Sequence, residues 1–168
     1  MTWSRSTRQQ AVIVVVVVMA ASLAGRWLGE AHRVADAPWR VTRVDDGDTI
    51  EVTRGSETDV VRLLGIDTPE THHPTKPVQC FGPEASAFTT RRLTGRLVRL
   101  EGDVEERDIY GRRLAYVMLD GRRFNDELLR RGYARLLVIA PNGAHGRTML
   151  DAELDARHHH RGLWDACE

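Results

Sequence analysis

A chain of 168 residues has room for one ordinary domain with a real core, but not for two. Its 24 Lys and Arg are matched by 24 Asp and Glu. The zero net charge removes the overall basic excess that marks many nucleic-acid binders, so any such role has to come from local sites.

In chain order, the first segment reads as an export signal. Arg5 and Arg8 precede an apolar run, Ala11–Gly25, broken only by Ser22. The run is short for a membrane span, which needs about 20 apolar residues. It suits the apolar region of a signal peptide, with the small residues Ala20, Ser22 and Ala24 near a cleavage point. Residues 1–25 are thus read as a signal peptide or an N-terminal membrane anchor, 26–37 as a linker, and 38–168 as the domain. Either reading puts the domain outside the cytoplasm, secreted or membrane-anchored. The two cysteines, Cys80 and Cys167, favour one disulfide in an exported chain, two free thiols being the other reading. Closing so long a loop would stabilise by roughly 4–5 kcal/mol in the chain-entropy model.

From Trp39 the pattern is short strands. Trp39–Val44 stops at "DDGD", a turn signal; Thr49–Arg54 alternates with Ile50 and Val52 on one face; Val60–Ile66 makes a third strand. Residues 71–82 have no periodicity and read as an exposed loop. "GPEASAFTTRRLTG" is a helix opened by Pro83 and closed by Gly95. "RLVRLEGD" and "RRLAYVML" are strands, "FNDELLRRG" a short helix, "YARLLVI" an extended run, and "RTMLDAELDARHHHRG" a helix with Leu150 and Leu154 at helical spacing. The sum is an α+β chain, mainly β: a five-stranded OB-type barrel with three packed helices.

Arg62 is out of place in an apolar strand, where an unpaired guanidinium would cost several kcal/mol. It either pairs with a nearby Asp or waits in a cleft for an anion, for which its rigid fork is suited. The acids bear on the choice. Asp48 closes the "DGD" turn and Asp67 ends the third strand, so neighbouring strand ends can face the two carboxylates. They repel unless a cation lies between them, and a hard cation such as Ca²⁺ takes carboxylates, carbonyls and water. Asp48, Asp67 and the carbonyl of Thr68 would supply part of that shell. Glu70 follows one turn on, placed to orient a water or take its proton. Arg112 opens the fifth strand. Adjacent histidines His158–His160 diverge on a helix and read as a solvated end, and His72 and His73 read as exposed or substrate-facing. Tyr116 and Trp164 read as core.

The stretches "DGDT", "VRLLGIDTPET", "HP", "FGPEASAF", "YGRRLAYV", "LLRRGYA" and "PN" occur in the order and near-spacing of staphylococcal nuclease. From Trp39 to Trp164 the chain resembles this thermonuclease family. The resemblance implies a Ca²⁺-dependent endonuclease on an OB barrel, a monomer that hydrolyses DNA and RNA and leaves 3′-phosphate ends. It implies Asp48, Asp67 and Thr68 as metal ligands, Arg62, Glu70 and Arg112 as catalytic residues, Asp46 as a supporting acid, and Tyr110 as an aromatic beside the nucleotide phosphate. Two competing readings are an OB module that binds nucleic acid without cutting it and an anchored surface interaction protein. The chain departs from the staphylococcal pattern before "PN", where Val138 and Ile139 stand near the place of tyrosines.

Overall fold

The computed structural model describes residues 37–71 and 77–167. The expected leader and nearly all of the linker, with His72 and His73, lie outside those residues. Pro38–Glu168 forms one unit, which carries all the described strands and helices.

Three strands open it: β1 Trp39–Asp46, β2 Thr49–Arg54 and β3 Glu57–Leu63. They pair antiparallel, Val41 opposite Val52 and Ile50 opposite Val61. Val41, Ile50, Val52, Val61 and Leu63 are almost wholly buried, so one face of the meander is the core face. After helix α1 (Gly82–Leu93), strand β5 (Leu97–Glu101) pairs with β1, and β6 (Arg113–Leu119) pairs with β5. A parallel pairing, Arg62 opposite Leu114, joins β3 to β6. The order β3-β2-β1-β5-β6 therefore closes on itself, and no central edge is left unpaired. This is the mixed five-stranded barrel of the α+β class that the strand pattern predicted.

The third expected strand does not run through to Ile66. It stops at Leu63, turns at Leu64, and resumes as β4, Gly65–Asp67. Gly65 sits at φ +74°, where other residues strain, and a Cβ there would lie 2.6 Å from Met149 Cε. The break would orphan the Leu64 carbonyl. Asn125, fully buried, repairs it: its Nδ2 donates to Leu64 O at 2.8 Å and its Oδ1 accepts from Val117 N at 2.9 Å. Arg62 therefore does not share a strand face with Leu64 and Ile66. β4 pairs instead with β8 (Arg135–Leu137), Asp67 opposite Arg135.

A two-residue strand, β7 (Arg122–Arg123), leads into α2 (Phe124–Arg130). α3 (Gly146–His158) and a one-turn α4 (Leu163–Ala166) complete the described unit, so the helices number four rather than the three expected. The buried face of α3 is Met149, Ala152, Glu153 and Ala156. Leu150 and Leu154, which suggested the helix, are 41% and 50% exposed and lie on its outer side. Tyr116 belongs to the barrel core, whereas Trp164 packs with Ala156, Leu163, Phe81 and Cys167 in a second, smaller cluster. His158–His160 are exposed. No described helix is long and apolar enough to cross a membrane.

Cys80 and Cys167 form a disulfide with Cα atoms 5.9 Å apart across 87 residues. It ties α4 to the chain just ahead of α1. A cross-link over so long a span restricts the unfolded chain, a stabilisation of about 4–5 kcal/mol in the entropic account. Reduction is expected to lower Tm by several degrees while far-UV circular dichroism at 25 °C stays native. A non-reduced digest should show the two cysteine peptides linked; free thiols in the mature protein would count against the bond.

Candidate active site

Helix α1 docks directly on the "DGD" turn between β1 and β2. Thr89 is buried on that helix, and its Oγ1 donates to Gly47 O at 2.8 Å. A Cβ on Gly47 would lie 2.8 Å from Thr68 Oγ1, so glycine lets Thr68 close onto the turn. Thr68 then donates to Asp48 Oδ2 twice, from its backbone N at 2.9 Å and its Oγ1 at 3.1 Å. Asp48, buried, also accepts from Thr49 Oγ1 at 3.1 Å. The acid of the turn and the segment after β4 are thus bound together by short polar contacts.

Arg62 reaches into this junction. Its Nη1 donates to the carbonyls of Leu63 and Ile66 at 2.8 and 2.9 Å. Its Nη2 lies 3.0 Å from Asp67 Oδ1 and 3.2 Å from Asp48 Oδ2. The Leu63 and Ile66 carbonyls, on either side of the β3–β4 break, hold one arm of the fork, and the two acids share the other. Its side chain is 16% exposed, against 56% for Asp67. The strand-borne cation is therefore an ion-pair partner, and it also lines a cleft.

Burial pushes the Asp67 carboxyl up, and the Asp48 charge adds to this against the opposing pull of Arg62. Glu70 is pushed up by burial, by a hydrogen bond with Asp46, and by the charges of Asp46, Asp48 and Asp67. Asp46 in turn accepts from Gly47 N at 2.8 Å and from Thr71 Oγ1 at 2.9 Å. Four acids thus lie within electrostatic reach of one another, with Arg62 bridging two of them. The donor types, carboxylate and carbonyl oxygen, fit a hard cation, and the mutual repulsion would be relieved by one. Among the described residues no three or more acidic, imidazole or thiol side chains form a metal cage. A site here would rest on two carboxylates, a carbonyl and water.

The cleft on the other side of Arg62 has a volume of about 620 Å³ and is lined by Arg62, Arg112, Tyr110, Ile109, Leu137 and Ile139 among others. Asp108 builds its rim. One oxygen accepts from the backbone N of Tyr110 and Arg112 at 3.0 and 2.9 Å, and the other holds Arg112 Nε at 2.7 Å. Burial alone would raise this carboxyl, but the hydrogen bonds and charge of Arg112 outweigh it and hold it below the usual range. The Arg112 guanidinium lies 5.5 Å from the Tyr110 ring centroid. Tyr110 and Ile109 are 78% and 92% exposed. Across the cleft, Asn142 accepts from Glu105 N at 2.7 Å and donates to Glu105 O at 3.1 Å, which pins the loop that carries Ile139.

The structure thus groups the predicted residues in two sets joined by Arg62. Asp46, Asp48, Asp67, Thr68 and Glu70 lie on one side; Arg112 and Tyr110 lie along the cleft. The predicted pair Val138 and Ile139 splits: Ile139 lines the cleft, whereas a Cβ on Gly143 or Gly146 would meet Val138 at 3.4 Å, away from it.

The family model described as "Staphylococcal nuclease homologue" matches residues 60–166. The thermonuclease of Staphylococcus hyicus is 44% identical over 126 residues, 75% of this chain and 75% of that protein. The chain belongs to the staphylococcal nuclease family. The thermonuclease of Staphylococcus intermedius is 43% identical over 125 residues, 74% of each chain. The SPbeta prophage-derived endonuclease YokF of Bacillus subtilis (strain 168) is 40% identical over 124 residues, 73% of this chain but 42% of that protein.

Asp46 and Asp48 lie ahead of the family-model match, which begins at Val60, and they reach the site through the contacts of the turn with Thr68 and Thr71. Sequence reasoning missed Asp108 and Asn125. Asp108 had a local signal, a carboxylate four residues before Arg112 with a glycine between; Asn125 had none, since its partners are Leu64 and Val117.

Proposed function

We propose that the protein is an exported, Ca²⁺-dependent endonuclease that hydrolyses phosphodiester bonds of DNA and RNA and leaves 3′-phosphate ends. Membership of the staphylococcal nuclease family supports the reaction class. The observation that carries the reading is the position of Arg62, which touches the Asp48–Asp67 pair and also lines the cleft with Arg112 and Tyr110. Asp48, Asp67 and the Thr68 carbonyl would hold Ca²⁺, which when bound polarises a phosphoryl oxygen as a Lewis acid. Arg62 and Arg112 grip phosphate oxygens and offset the charge that builds in the transition state. Glu70 orients the attacking water or takes its proton. Tyr110 packs against the nucleotide next to the phosphate. The aliphatic walls Ile109, Leu137 and Ile139 accept a base by dispersion rather than by ring stacking. The disulfide supports action outside the cytoplasm, where such bonds persist.

The test is direct. Full-length protein is incubated with plasmid, single-stranded DNA and RNA in Ca²⁺ or in EGTA, and the new ends are assayed for 3′-phosphate. Cleavage in Ca²⁺ alone, with fragments that need phosphatase before 3′ extension, is the expected result. Binding without cleavage would identify an OB module that has lost its chemistry.

A further inference from the structure

Glu70 follows Pro69 in a segment that belongs to neither a helix nor a strand, so no ladder holds its backbone. Both of its peptide groups nevertheless end on one residue. Glu70 N donates to Gln79 Oε1 at 3.0 Å, and Gln79 N donates to Glu70 O at 2.9 Å. Because Glu70 N can only donate, the Gln79 atom facing it has to be the amide oxygen.

Gln79 is itself anchored on its C-terminal side. Its carbonyl accepts from Gly82 N at 3.1 Å. Cys80, next in the chain, is bonded to Cys167, which packs against the second core. Phe81 stacks on Tyr133 at 5.4 Å, and Tyr133 stacks on Phe88 of α1 at 4.3 Å. The start of α1 also presses on the same segment: a Cβ on Gly82 would lie 2.9 Å from Pro69 O and 3.0 Å from Glu70 O. On the other side of Glu70, Thr71 is bound to Asp46.

We propose that Gln79 is a positioning residue for Glu70, a two-point clamp that transmits the rigidity of α1 and the disulfide to the acid. The inference rests on the reading of Glu70 as the group that handles the attacking water. Asp46 hydrogen-bonds the Glu70 carboxyl, but the charges of Asp48 and Asp67 repel it, and an untethered backbone would let it swing outward. Gln79 itself is exposed, so its side chain contributes little to the core and its loss leaves folding intact.

The experiment compares Gln79→Leu, Gln79→Glu, Glu70→Gln and the double variant Gln79→Leu/Glu70→Gln in full-length protein, each with its circular dichroism spectrum. Gln79→Leu removes the acceptor at similar size and is expected to lower kcat by about 10-fold or more with KM within about 2-fold, since displacement of a reacting group by an ångström costs up to this order. Gln79→Glu keeps an acceptor for Glu70 N but adds a carboxylate beside the acids, so its kcat should fall between those of Gln79→Leu and wild type. In the Glu70→Gln background, Gln79→Leu should add no further loss, because the clamp acts only through that carboxylate. The proposal is overturned by a Gln79→Leu enzyme within about 2-fold of wild type, by a rise in KM at unchanged kcat, or by losses that multiply in the double variant. Glu70→Gln at wild-type rate would remove the reading of Glu70 and the clamp with it. An inactive Glu70→Gln beside a fully active Gln79→Leu would remove the clamp alone.

Discussion

Arg62→Lys should lower kcat/KM by at least about 100-fold, the scale of losing one transition-state donor, even though the positive charge stays. The structure says what the lysine cannot replace. One guanidinium nitrogen satisfies the carbonyls of Leu63 and Ile66, and the other sits between Asp48 and Asp67 at 3.2 and 3.0 Å. A single ammonium cannot make all four contacts and still donate to phosphate. The carbonyls it abandons lie at the β3–β4 break, so stability should also fall, by about 1–3 kcal/mol for unsatisfied groups. Steady-state kinetics beside urea unfolding separate the two effects. A variant within a few-fold of wild type in rate but destabilised would make Arg62 a structural ion-pair partner only.

EGTA should abolish cleavage, and Mg²⁺ should restore less than about a tenth of the Ca²⁺ rate, given its demand for near-ideal octahedral geometry. The proposed ligands do not form a regular cage. Asp48 is buried and committed to Thr49 and Thr68, Asp67 is half exposed and shared with Arg62, and the third donor is a carbonyl. Such a mixed set leaves several positions to water, which a large, tolerant cation accepts. A readout independent of turnover is the rise of Tm with Ca²⁺, which comes from binding to the native state. That rise should vanish in Asp67→Asn. Equal rates in the two metals after chelation would overturn the calcium assignment.

How much of this was legible beforehand differs residue by residue. The turn "DGD", the strand end at Asp67, the Pro83 helix start and the Gly132 stop are local signals, and each is set by φ preference, missing donors or short side-chain hydrogen bonds within a few residues. Alternation placed Ile50 and Val52 on the core face for the same reason. The motif resemblance then named the acids and arginines, because chemistry at phosphate needs those residue types. The spacing of Leu150 and Leu154 found helix α3 but not its buried face: Met149, Ala152, Glu153 and Ala156 repeat at helical spacing too, and only the neighbouring surface selects between them.

By itself, then, the sequence determined most of the strand and helix positions, the barrel class and the identity of the charged groups, since these depend on local dihedral preference, periodicity and residue chemistry. The tertiary structure alone decided how those groups meet. The break at Leu64 exists because Gly65 must turn against Met149, and it is tolerated because Asn125 comes from 61 residues away to satisfy the freed carbonyl. That break aims Arg62 at Asp48 and Asp67 instead of along an unbroken strand. Asp48 holds Thr68, and Asn142 holds Glu105, through side-chain to backbone hydrogen bonds that leave no periodic trace. Such contacts depend on which chain segments the closed barrel brings side by side, and no window of neighbouring residues encodes that.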